Sequence, residues 1–294
     1  MEYSYFGNSL ISGINLGLIY AVIALGFVLI FKCSGVLNMA QGSLCMVGAF
    51  MCYTLSGMLG LNFYLAIFLT LLLSLPLGWL IERLVLRPLI GQPTFTVLMV
   101  TIALLVFFEG FCLAVWGAKY YGYPEMFGGV THVGELDFTH MGLFSTGVCI
   151  VLFGAFIVFY RRFRIGITMR ALADDEQAAQ SVGIKVSSTY RMSWMISCVC
   201  ASVGGILLAY LVCIHPWLGL VGLRAIPAVI VGGMESVPGA LVGGLIIGVL
   251  EAISGAYLDP ILSGVKEVAP FVVLVLILIF KPFGLFGLER IERI

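Results

Sequence analysis

CSGVLNMAQGSLCMVGAFMCYTLSGMLGLNFYLAIFLTLLLSLPLGWLI, residues 33–81, runs for 49 positions without an acidic or basic side chain. One bilayer crossing takes about 20 apolar residues, so a run of this length folds back once. The turn falls at Gly57-Met58-Leu59-Gly60-Leu61-Asn62, where glycine and asparagine cluster. Charge-free runs at 3–31, 88–108, 138–160 and 192–223 repeat the pattern. Their apolar residues are continuous rather than alternating. That selects helices over a closed barrel as the way to satisfy backbone polar groups in lipid.

Composition agrees. Of 294 residues 61% are hydrophobic and 10% charged, with mean hydropathy +1.13. A soluble domain carries about 25% charged residues to cover itself. The expected fold is all-α: a polytopic transmembrane helical bundle forming a single domain over 1–294, with broken or half-helices. About nine spans (range eight to ten) fall near 9–31, 37–58, 62–81, 94–117, 141–160, 190–213, 220–234, 237–257 and 266–281. The segment 220–234 is short and carries Arg224, so a half-helix or re-entrant segment is the alternative there. With the N-terminus outside and the C-terminus cytoplasmic, twelve of the fifteen Lys and Arg lie on the cytoplasmic side, among them Lys32, Arg83, Arg87, Lys281, Arg290 and Arg293. Only Lys119, Arg224 and Lys266 lie outside, the asymmetry expected of short membrane loops. MEYSYFGNSL lacks a basic region and a small-residue cleavage site, and reads as part of a retained first span. Seven of the eight cysteines lie within apolar runs and none shows ligand spacing, so they read as small buried hydrophobes; no metal and no cofactor is expected.

The longest polar interruption is 162–191, RFRIGITMRALADDEQAAQSVGIKVSSTYR. Met169 to Val182 reads as a short helix with Asp174, Asp175 and Glu176 on its polar face, ended by Gly183. A solvated connector and a docking element for a soluble motor are both open readings of it. The outer loop 118–140 is polar and aromatic, either a plain connection or a surface for an external partner. Asn38 and Gln41 are amides one turn apart in a span of low charge and need partners inside the bundle, as helix–helix glue or as lining of a path. Gly35, Gly42 and Gly48 permit close approach or a local break. Gly239, Gly243, Gly244 and Gly248 form two overlapping GxxxG spacings; Ala201, Gly205 and Ala209 give another small-residue row, and Gly13 and Gly17 a further one. Such rows serve packing first. Glu109, Glu251 and Arg224 are charges inside spans, each costing roughly 2.5–3.5 kcal/mol at the centre. Glu109 can pair with Arg224 or Lys119, or face a vestibule. His215-Pro216-Trp217 sits at a span exit, where Trp217 serves as an interfacial anchor. The chain holds no Walker lysine motif, HExxH or GxSxG. An enzyme is therefore not expected, and energy for any pumping comes from another subunit.

Four segments in order carry a resemblance. Gln177-Ala178-Ala179-Gln180-Ser181-Val182-Gly183 resembles the coupling-loop signature of ABC importer permeases, with Gln177 in place of the usual Glu. The wider RALADDEQAAQSVGI resembles the version in the branched-chain (hydrophobic) amino acid permease family. Asn38-Met39-Ala40-Gln41-Gly42 with the later Gly48-Ala49 resembles that family's Asn-x-Ala-x-Gly motif. Gly232-Gly233-Met234-Glu235-Ser236-Val237-Pro238-Gly239-Ala240 resembles its glycine-rich stretch, and Lys281-Pro282-Phe283-Gly284-Leu285-Phe286-Gly287 its closing motif. The resemblance covers nearly the whole chain. It implies a non-enzymatic permease subunit in a bacterial or archaeal plasma membrane, surrounded by lipid and without a nucleic-acid partner. A second related permease, in a heterodimer or homodimer, two cytoplasmic ATPases and an external solute-binding protein complete it. Arg170, Asp174, Glu176, Gln177, Ala178, Ala179 and Gly183 are implied to engage the ATPase. Asn38, Gln41, Gly42, Glu109, Gly232, Gly233 and Glu251 are implied to line the path of an amino acid or similar small solute. A stand-alone channel or secondary carrier for a solute such as urea or an amide is the alternative.

The topology is testable directly. Single cysteines at Ser187 and Thr131, in a variant stripped of the native eight, separate the two sides. An impermeant thiol reagent is expected to label position 131 in intact cells and position 187 only after the membrane is opened. The reverse pattern would invert the protein.

Overall fold

The computed structural model describes residues 2–124 and 128–287; Arg290 and Arg293, counted above on the basic side, lie outside the described residues. The chain is a polytopic helical protein. Among the described residues, six helices are long and apolar enough to cross a membrane: Ser4–Ser34, Phe63–Leu89, Thr94–Trp116, His140–Arg162, Val186–Val212 and Val237–Tyr257. The other three expected spans fall on shorter helices. Segment 37–58 begins as a helix only at Gln41 and runs on through a π-helical turn to Met58; 220–234 falls on Leu218–Gly232, and 266–281 on Val265–Phe280. Sixteen residues of helix extend about 24 Å, short of a 30 Å hydrocarbon core.

In chain order the helices are α1 (Glu2–Ser34), α2 (Gln41–Tyr53), α3 (Phe63–Ile81, continued by π and 3-10 turns to Leu89), α4 (Thr94–Trp116), α5 (His140–Arg162), α6 (Arg164–Asp174), α7 (Glu176–Ser181), α8 (Val186–Val212), α9 (Leu218–Leu223), α10 (Ala225–Gly232), α11 (Val237–Tyr257) and α12 (Val265–Phe280). The all-α expectation holds, with one small β element beside the helices. Val130–Val133 (β1) and Leu136–Thr139 (β2) form an antiparallel hairpin with Val130 opposite Thr139. Gly134 at φ 67° supplies the tight turn. Strand β2, Leu-Asp-Phe-Thr, alternates apolar and polar residues, and the short strands leave their edges to water.

The chain divides into two compact units. Unit 1 comprises 1–28, 127–150 and 224–294; unit 2 comprises 29–126 and 151–223. In unit 1 the glycine rows meet back to back. A Cβ on Gly17 would stand 2.8 Å from the Gly244 carbonyl oxygen, and one on Gly248 would overlap the backbone of Gly17. Gly243 lies against Ala228, and Gly232 against Gly239, so α10 and α11 touch backbone to backbone. The hairpin is tied down within the same unit: the Asp137 N–H donates to Asn8 Oδ1 at 2.9 Å and the Ser4 hydroxyl to the Glu135 carbonyl at 2.9 Å. In unit 2, α2 is the hub. Gly205 of α8 lies on the Cys45 carbonyl, Gly42 on that of Gly219 in α9, and Gly48 against Ser202. Gly78 brings α3 onto the Trp194 backbone of α8. These contacts assign the small-residue rows to packing.

The start of the outer loop folds onto unit 2. Tyr121 pairs its backbone with Ile214 and donates its hydroxyl to the Trp116 carbonyl; Tyr123 donates to that of Ala49 at 3.0 Å. Burial, with Cys52 alongside, pushes the Tyr123 hydroxyl well above its ordinary pKa. The cysteines are all free and seven are buried. Cys213 is the exception: it is exposed and ends α8 at φ 67°.

Substituting Gly205 by Ala drives a methyl into a backbone carbonyl that has no rotamer to relieve it. The expected cost is about 1–3 kcal/mol, read as a lower thermal midpoint in detergent or nanodiscs. Gly248→Ala behaves alike in unit 1. Gly110→Ala, where nothing lies within 4 Å, leaves the midpoint unchanged or raises it.

Candidate functional site

The first candidate site is the break between α1 and α2. Gly35 at φ 65° turns the chain out of α1, and residues 35–40 run without helix. Asn38 is wholly buried there. Its Oδ1 accepts from the Ala40 N–H at 3.1 Å, and its amide donates to Gln41 Oε1 at 3.1 Å. Ser197 of α8 donates its hydroxyl to the same Gln41 oxygen at 2.9 Å, and Gln41 Nε2 returns a bond to the Ser197 carbonyl at 3.4 Å. Thr101 of α4 accepts from the Met39 N–H at 3.2 Å. Asn38 is therefore not one helical turn below Gln41 on a continuous span but the support of a broken one. Gln41 ties α2 to α8, and Asn38 braces Gln41 and the backbone of the break. Gly42, beside them, packs against α9.

Sequence reading missed Ser197 and Thr101, ordinary hydroxyl residues in apolar runs whose partners lie 156 and 62 positions away. It also missed an ion pair. Arg191, at the start of α8, sets its Nε 3.5 Å from Oε2 of Glu82, which is almost wholly buried in the π-helical turn after α3. The geometry lacks a hydrogen bond, so the attraction is Coulombic.

The second candidate is 162–191. The expected single helix over Met169–Val182 is two helices. Asp175 is extended at φ −155°, ψ 112°, and its side chain caps α7 by accepting from the Ala178 N–H at 2.9 Å. With the helical ladder interrupted at Asp175, its carboxylate supplies an acceptor for the first turn of α7. In α6, Gly166, Met169 and Leu172 form one buried face. Arg170 lies over the Tyr160 ring at 5.6 Å, and Lys32 over the same ring at 5.2 Å. The end of α7 is a Schellman turn: the Gly183 N–H bonds to the Gln180 carbonyl and that of Ile184 to the Ala179 carbonyl, both at 3.0 Å, with Gly183 at φ 87°. Ala179 is buried, Asp174, Gln177, Ala178 and Gly183 are exposed, and Val182 is 77% exposed. Glu176 opens α7.

The third is a charge network in unit 1. The Tyr20 hydroxyl donates to Glu251 Oε2 at 2.8 Å, Arg224 Nη1 to Glu251 Oε1 at 3.2 Å and Arg224 Nη2 to Glu267 Oε1 at 2.9 Å. Arg224 thus pairs with Glu251 and Glu267, not with Glu109. Glu109 is half-buried on α4, its Oε1 without a hydrogen-bond partner among the described residues. Gly232 ends α10 against Gly239; Gly233, at φ 103°, lies against the backbone of Gly287.

The sequence profile of the family described as branched-chain amino acid transport system / permease component matches residues 9–280. The permease protein LivH of the high-affinity branched-chain amino acid transport system of Salmonella typhimurium is 30% identical over 100% of this chain and 99% of its own length. The probable branched-chain amino acid transport permease protein LivH of Methanocaldococcus jannaschii is 32% identical over 91% of this chain and 88% of its own. Among solved structures, a chain of PsaBC from Streptococcus pneumoniae in complex with Fab covers 93% of this chain and 90% of its own, at 15% identity and a TM-score of 0.49. With its apolar helices and a match along almost its whole length, the chain is a multi-pass plasma-membrane protein that belongs to the permease family of branched-chain amino acid transport systems.

Proposed function

We propose that the chain is the membrane subunit of an ABC importer and forms, with a second related permease, the path for a branched-chain amino acid or similar small amphipathic solute. An external binding protein delivers the solute and two cytoplasmic ATPases dock on 162–191. The N-terminus is outside and that segment is cytoplasmic, in line with the partition of Lys and Arg. The observation that carries the reading is the form of 162–191: an amphipathic α6 anchored by Met169, Leu172 and the stacked Arg170, followed by a capped α7 that offers Gln177, Ala178 and Val182 outward and ends without a side chain at Gly183. A stand-alone channel has no use for such a surface.

Force applied to α7 reaches α8 along the chain. From α8 it passes to α3 through Arg191 and Glu82, and to α2 through Ser197 and Gln41. The break at 35–40 is the compliant part, since its bonds are to side chains rather than to a helical ladder. Alternating access remakes this network, and Asn38, Gln41 and Gly42 then face the solute. Glu109, in the same unit, borders that path in the assembled dimer.

Gly183→Arg places a bulky residue at positive φ on the docking face. It is expected to abolish uptake and ATPase co-purification at an unchanged level of inserted protein; normal uptake would remove the docking role. Gln41→Leu removes the oxygen that Asn38 and Ser197 share as an acceptor and is expected to lower stability by about 1–3 kcal/mol. Asn38→Leu is expected to reduce uptake by more than its loss of thermal stability explains. Uptake that tracks stability alone would return both amides to packing.

A further inference from the structure

Unit 2 contains a partly open cavity of about 250 Å³ that none of the roles above uses. That is room for a small solute rather than a single water. Its polar lining is Ser34, Gln92, Thr94, Thr101, Tyr190 and Trp194; Ile30, Leu86 and Val97 supply apolar wall. No Asp, Glu, Lys, Arg or His lines it. A ligand with net charge would lose its hydration there without a counter-ion, so the lining suits a net-neutral, amphipathic solute held by hydroxyls and amides. Two helix ends add to this. Helix α4 begins at Thr94 with no side-chain cap, which favours a carboxylate, and α1 ends at Ser34, which favours an ammonium group.

The position of the cavity gives it leverage. One wall is Thr101, which holds the Met39 N–H of the break. Another part of the lining is Tyr190 and Trp194, which flank Arg191 on the helix that leads out of 162–191. A solute bridging the two favours the arrangement described here. By linkage it disfavours any state in which α8 and α4 move apart.

We propose that the cavity is a regulatory site for a small net-neutral zwitterion, the accumulated product itself, whose occupancy locks α8 to the break and slows further import. The regulatory half rests on the transport reading above; the site does not. Gln92 is exposed at the mouth. In the cysteine-stripped permease in nanodiscs, the Gln92→Cys thiol reports occupancy through its rate of maleimide labelling. L-Leucine is expected to slow labelling roughly fivefold or more, the lower end of ordinary coupling between sites. Leucinamide, which lacks the carboxylate, and 4-methylpentanoate, which lacks the ammonium group, are expected to leave it unchanged. Val97→Trp, or Thr94→Trp where the first folds poorly, fills the cavity and is expected to abolish protection. In the reconstituted transporter with ATP enclosed, preloaded L-leucine slows uptake by the native protein but not by the filled variant, while uptake into empty vesicles is the same for both. Absence of protection by L-leucine overturns the site, as does protection that survives both filling variants. Protection in a protein that imports neither leucine nor any other small amphipathic solute keeps the site and overturns the transport reading instead. Uptake equally slowed in native and filled proteins places the inhibition elsewhere and overturns the regulatory role.

Discussion

Five of the seven backbone N–H groups from Gly35 to Gln41 carry the architecture of unit 2. Where α1 stops its hydrogen-bond ladder stops too, and a buried orphan costs about as much as a lost hydrogen bond. These five find acceptors nearby. Gly35 bonds back to the Phe31 carbonyl, Val36 to the Ser34 hydroxyl, Met39 to Thr101, Ala40 to the Asn38 side chain and Gln41 to the Asn38 carbonyl. A break deep among packed helices is tolerated only when satisfied in this way. Its position then places Gln41 opposite Ser197, and α2 onto α8.

The glycines set how close that packing is. On α2 and α8, and again on α1 and α11, backbone meets backbone with no side chain between. Without a hydrophobic effect to drive apolar helices together in lipid, such contacts and a few buried polar bonds hold the bundle. They also make it bistable rather than soft, since a smooth face slides but does not compress. Motion is therefore expected at the side-chain-supported break and at Asp175, where one helix gives way to the next.

The charges divide by the same logic. Glu251, Arg224 and Glu267 are joined, with Tyr20 as a further donor, so that no formal charge in unit 1's interior stands alone. Glu82 and Arg191 are joined only by proximity, at a distance that a small rotation of α8 would alter. The first arrangement suits a fixed strut and the second a contact that is made and broken.

The sequence by itself determined the class, the helical segments and the family. Composition and charge-free runs of fixed length are properties of the chain alone, and lipid admits few ways to satisfy a backbone. It also determined the end of α7, because only glycine suits the left-handed turn at 183, and it marked the small-residue rows, though not which row meets which. Tertiary structure decided the rest. Thr101 and Ser197 acquired their roles from partners far along the chain, which no local pattern encodes. Arg224 chose Glu251 and Glu267 over Glu109 because α10, α11 and α12 close on one another within a single unit. The helix expected over Met169–Val182 split at Asp175, whose carboxylate supplies an acceptor for the first turn of α7. In each case the deciding energy is that of a buried polar group meeting, or failing to meet, its partner, and that meeting exists only once the chain has folded.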